Sequence, residues 1–127
     1  MLILELKKAM DTKFEKLDFV YDEATNSISI PPKIPDIGDI VIIDDGDELL
    51  THVGRFTHSH FGCYEDGFTD SERTAWTVRN LMKFLDDLFS DKIVMWGEAE
   101  SFGGFHYLEY HTEHDKKGWL WSGELGN

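Results

Sequence analysis

The stretch Gly38–Tyr64 constrains what this chain can fold into more than any other. Asp39 to Ile43 is an apolar, β-branched run, and Leu49 to Tyr64 is a second extended run in which Thr, Val and Phe recur. Both favour strands over helix. Between them, Asp44-Asp45-Gly46-Asp47-Glu48 contains an Asp-Gly pair that supplies the positive φ of a tight hairpin, and its neighbouring carboxylates repel one another and resist burial. The spacing predicts an exposed, strongly negative hairpin tip, with the rest of the chain closing around the two strands.

Upstream, Ile3, Leu6, Met10, Phe14 and Leu17 recur at three and four residues, the period of an amphipathic helix over Leu2 to Lys16. Asp18 to Asp22 and Ser27 to Ile30 read as short strands joined by a turn in which Asn26 takes the left-handed conformation. Pro31, Pro32 and Pro35 forbid helix and ladder alike, so Pro31 to Ile37 is an irregular crossover. Downstream, Thr69-Asp70-Ser71-Glu72 fits a capping box, in which the Thr69 hydroxyl accepts from the Glu72 amide while the Glu72 carboxylate reaches back. A helix from Asp70 to Phe89 follows. Its apolar stripe is Ala75, Val78, Met82, Leu85 and Phe89, thickened by Leu81 and Leu88, and its polar side carries Glu72, Arg79, Lys83, Asp86 and Asp87.

Extended character resumes over Lys92 to Glu98 and Phe105 to Tyr110, with turns at Ser101–Gly104 and Asp115–Gly118 before Trp119-Leu120-Trp121, a three-stranded meander. Strands on both sides of one long helix, joined by hairpin-length connections, define an α+β class. The expected architecture is a mainly antiparallel sheet with an N-terminal helix and one long central helix packed on one face. A chain of 127 residues is the size of one such domain, 1–127.

The formal charge of -13 excludes a binder that must neutralise phosphate, so neither nucleic acid nor an anionic membrane is an expected partner. No run approaches the ~20 apolar residues that cross a bilayer. Cys63 is the single cysteine, which forbids an intrachain disulfide and favours a reducing compartment. The opening Met1-Leu2-Ile3-Leu4 is followed by Glu5 and Lys7-Lys8, the reverse of secretory order, so a cytoplasmic location is expected.

Six histidines invite a metal reading. His58 and His60 share one face of a strand, and His106, His111 and His114 lie along one hairpin arm and its turn. His58, His60, His106 and His111 are therefore the candidate ligands, with Glu109 or Glu113 placed for general-base work. Neither spacing matches a helical His-Glu-x-x-His pair or a cysteine knuckle, and outward alternation of polar residues also yields His-x-His. Cys63 and His60, three apart on a strand, point to opposite faces, which suits a buried small hydrophobe better than a nucleophile. The acidic tip lacks the order of a calcium loop, and Gly103-Gly104 precedes a strand instead of a phosphate-binding helix. Trp119 and Trp121 alternate onto one face, either a ligand platform or the face covered by the long helix.

With no catalytic set and no cofactor signature, the sequence reads as a non-catalytic acidic protein that binds a basic protein partner. Asp44, Asp45, Asp47, Glu48, Asp86 and Asp87 are the candidate contact residues. In size, acidity and location the chain resembles the small bacterial immunity proteins that neutralise basic toxin domains. That likeness is compositional and transfers no residue. The alternative is a small metal-binding domain or metal-dependent hydrolase built on the clustered histidines.

Overall fold

The two extended runs that flank the acidic tip fold as three strands. The computed structural model describes residues 1–98, 102–112 and 117–125, and in it the second run breaks at Gly54. Strands β3 (Ile40–Asp44), β4 (Glu48–Val53) and β5 (Thr57–Gly62) form two successive hairpins. Gly46 turns the first at φ 105° and Gly54 the second at φ 57°. A Cβ on Gly54 would drive into the Ile37 carbonyl, which already accepts from the Arg55 amide at 2.8 Å, so only glycine fits there.

Strands β1 (Val20–Asp22) and β2 (Ser27–Ile30) complete a five-stranded antiparallel meander in the order β1-β2-β3-β4-β5. Asn26 takes the left-handed turn conformation at φ 49°, as its side chain permits. Helix α1 (Leu2–Lys13) stops one turn earlier than the periodicity predicts, because Phe14 leaves helical dihedrals and sets its ring edge-on against Phe89 at 5.3 Å. Helix α2 spans Asp70–Phe89 as expected, and both halves of the Thr69/Glu72 capping box form.

Strands β6 (Ile93–Glu98), β7 (Phe102–Tyr107), β8 (Gly118–Leu120) and β9 (Gly123–Glu124) make a second antiparallel sheet in the order β7-β6-β8-β9. The expected C-terminal meander is corrected at three points, the first being that Leu108–Tyr110, expected to continue the strand from Phe105, forms a short 3-10 helix. Phe102 to Gly104 belong to β7 instead of a turn, and β8 returns to the far flank of β6 instead of continuing beyond β7. A Cβ on Gly103 would collide with the Phe56 carbonyl of the β4–β5 turn, so the two sheets abut closely at this residue.

Both helices pack on one face of the strands, α1 on the first sheet and α2 bridging to the second. Alternation along β2, β3 and β4 turns Ile28, Ile30, Ile40, Ile42, Leu49 and Val53 inward, where Leu6 and Met10 of α1 and Leu81, Leu85 and Leu88 of α2 meet them in one hydrophobic cluster. The buried side of α2 is broader than its predicted stripe. Ala75 is exposed, whereas Thr77, Phe84 and Asp87 are buried. Phe84 accounts for the widening: its ring lies 5.4 Å from Phe61 of β5 and 5.0 Å from Phe105 of β7, so one side chain ties the two sheets together. Arg55 makes a second tie, its guanidinium 4.5 Å over the Phe56 ring and 5.8 Å from the Trp119 ring.

Candidate functional site

The parallel run of the two helices decides where charge gathers. Leu2 of α1 lies beside Asp70 and Thr77 of α2, while Lys13 pairs with Asp86 at 3.6 Å near the other end. Both N-termini, each a partial positive pole, therefore face the β3–β4 tip. Part of the acidic tip answers that field directly. Asp44 Oδ2 accepts from the Ile3 amide at 3.1 Å and its Oδ1 from the Gly46 amide at 2.8 Å, so Asp44 caps a helix that has no cap of its own from Met1. Glu48 is likewise engaged, bonded to His60 Nδ1 at 3.0 Å and by the Tyr64 hydroxyl.

The other acidic residues of this end have no ion pair among the described residues, although Asp45 Oδ1 accepts from the Glu48 amide at 3.2 Å. Asp45 and Asp47 on the tip, Glu65 and Asp66 on the following loop, and Asp70 at the start of α2 are all exposed. Among the described residues none of the five forms an ion pair with Lys or Arg. The loop holding Glu65 and Asp66 is tied down at both ends beside the tip, by Tyr64 on Glu48 and by Asp70 in the cleft it shares with Asp47. Tyr64, 70% exposed, and Phe68, 36% exposed, stand among these carboxylates.

The second acidic group singled out by sequence is spent internally. Asp87 is 5% exposed and accepts from Lys83 Nζ at 2.7 Å and the Tyr107 hydroxyl at 2.9 Å. The Lys83 hydrogen bond holds the Asp87 carboxyl below the usual aspartate range, against the opposing pull of burial. The same bond raises Lys83, and burial raises the Tyr107 phenol. Asp86 carries the Lys13 pair, and Asp91 accepts from Ser122.

The histidines separate into two sets. His52, His58 and His60 lie on the outer face of the first sheet, with ring centroids 6.0 and 5.6 Å apart in sequence. His106 and His111 belong to the second sheet's end, stacked with Nε2 and Nδ1 2.8 Å apart. No three His, Cys, Asp or Glu side chains among the described residues are placed to share a metal ion. His114 and Glu113, and the turn expected at Asp115 and Lys116, lie outside the described residues. Cys63 is a buried free thiol, and Trp121 is buried against Phe89 at 5.3 Å, while Trp119 is half-buried.

His52, Tyr64, Asp70 and Thr77 did not stand out in the sequence. His52 faces His58 only because of the turn at Gly54, for which the one signal was Gly54-Arg55 inside an extended run. The others depend on the tip folding back onto α2, which no local pattern encodes. A groove of about 880 Å³ between α1 and α2, floored by Ala9, Ala75 and Met82, carries rim charges of both signs and so selects neither. No helix among the described residues is long and apolar enough to cross a membrane. Comparison with protein-family models, curated proteins and solved structures finds no match.

Proposed function

We propose that this protein is a non-catalytic binder whose acidic end docks a basic protein partner, in the manner of an immunity protein acting on a basic toxin domain in the bacterial cytoplasm. The observation that carries the reading is the set of five exposed carboxylates, Asp45, Asp47, Glu65, Asp66 and Asp70, gathered at one end without an ion pair to Lys or Arg among the described residues. Crowded like charges raise the energy of the free protein, and a basic partner relieves that repulsion while steering encounter and selecting against acidic competitors. Tyr64 and Phe68 supply the amphipathic aromatic anchors that protein interfaces favour at their centres. The net charge of -13 extends the same field over the molecule.

The test uses two baits, the wild-type chain and the quadruple variant Asp45→Asn, Asp47→Asn, Glu65→Gln, Asp66→Asn, with captured proteins identified by mass spectrometry. A basic protein held by the wild type at low salt, released at high salt and absent from the variant is the expected result. Equal capture by both baits, or capture of no basic protein, would contradict the proposal.

A further inference from the structure

Behind the acidic tip, a cleft of about 520 Å³ separates the β3–β4 turn from the first turns of α2, within the roughly 300–1,000 Å³ span of ligand-holding clefts. Asp47 lines it from the hairpin and Asp70 from the helix, with Leu2, Tyr64 and Thr77 between them. Thr77 is only 1% exposed, yet its hydroxyl has no hydrogen-bond partner among the described residues. Hydroxyl and amide side chains on helices commonly return to the carbonyl one turn back, as Thr12 does to Lys8 at 3.0 Å and Asn80 to Trp76 at 2.7 Å. Thr77 does not. No side-chain nitrogen or oxygen fully shut off from solvent lacks a partner among the described residues, so the Thr77 oxygen keeps a small opening, and the cleft it lines is where a ligand atom could reach it.

The resident cation of the cleft, Arg73, is tethered: its Nη1 donates to the Cys63 carbonyl at 2.9 Å. Asp47 and Asp70 remain without an ion pair among the described residues. An anionic ligand entering here would meet two carboxylates, and a neutral one would leave both unmatched. A flexible apolar stem with a cationic head matches the lining, with the stem along Leu2 and the Tyr64 ring and the head donating to Asp47, Asp70 and the Thr77 hydroxyl. We propose that the cleft seats one long cationic side chain, lysine or arginine, of the docked partner. The inference rests on the acidic docking surface proposed above and gives it an anchor. One charged group seated in the cleft, with the exposed Asp45, Glu65 and Asp66 close along the chain to its lining residues Gly46 and Tyr64, is the arrangement in which a single residue dominates an interface.

The experiment is an amide-resolved NMR titration of the full chain with short blocked peptides carrying a central arginine, lysine or glutamine. The arginine and lysine peptides are expected to give saturable shifts at Asp47, Cys63 and Thr77, and the glutamine peptide none. Thr77→Val should weaken binding about fivefold, the worth of one ordinary hydrogen bond. Asp47→Asn, on the exposed tip where folding is not at stake, should weaken it about tenfold. Shifts confined to Asp45, Glu65 and Asp66, or unchanged affinity in both variants, overturn the cleft while leaving the docking surface standing. No response to either cationic peptide or to polylysine overturns both.

Discussion

Phe84 is the side chain whose removal should cost this fold most for its size. It is 6% exposed, and its ring contacts Phe61 on one sheet and Phe105 on the other at 5.4 and 5.0 Å. Phe84→Leu keeps most of the buried volume and loses both ring pairs, each worth about 0.5–1.5 kcal/mol, so a loss of roughly 2 kcal/mol is expected. Phe84→Ala also opens a cavity at the junction and should cost about 3–5 kcal/mol, a large share of the roughly 5–15 kcal/mol by which a domain is held folded. Urea denaturation followed by tryptophan fluorescence and by far-ultraviolet circular dichroism measures both. The two probes should move together in wild type, since the joint makes the sheets melt as one unit. A Phe61→Leu/Phe84→Leu double-mutant cycle should return a coupling of about 0.5–1.5 kcal/mol. Phe84→Ala costing less than about 1 kcal/mol, in the range of an exposed substitution, would refute the claim that this ring joins the sheets.

Two further outcomes follow from the same contacts. Asp87→Asn should cost about 1–2 kcal/mol at neutral pH, the range of a charge-assisted hydrogen bond discounted because Lys83 is largely exposed. Because the Asp87 carboxyl is held below its ordinary range, its stabilisation is present at neutral pH and disappears as pH falls through that lowered value, so the gap between variant and wild type should close in strong acid. Lys83 and Tyr107 are shifted upward, so their share of the network is lost only on the alkaline side. A variant gap of the same size at neutral and strongly acid pH would contradict this assignment. Gly103→Ala should lower the thermal midpoint, with a cost of about 1–3 kcal/mol, because its Cβ would meet the backbone oxygens of Phe56 and Trp96, neither of which can rotate away. An unchanged midpoint would mean that the two sheets do not abut at this residue.

The elements legible in the sequence are those specified by short-range chemistry. The Thr69/Glu72 box and the following apolar period give α2 to the residue, and Asn26 and the Asp45-Gly46 pair give their hairpins. The break at Gly54 was hidden because Val, Thr and Phe continue on both sides of it, and what fixes it is the distant Ile37 carbonyl. Asp87 read as a surface carboxylate because helical spacing counts charge as polar. Its burial depends on Tyr107, 20 residues further along the chain. The acidic end was legible as composition, but the sequence could not separate Asp44, which caps α1, from Asp45 and Asp47, which have no cationic partner among the described residues. The cleft could not be foreseen, since Asp47, Asp70 and Thr77 meet only through the tertiary fold.

The proposed docking surface is the set of tip carboxylates that have no ion pair among the described residues. The association rate constant of the captured basic protein, measured across ionic strength for wild type and for the quadruple tip variant, tests this directly. Wild type should associate faster at low salt and slow by about tenfold or more as screening rises, while the variant should be slow and nearly salt-independent. Identical salt dependence in the two proteins would contradict the claim.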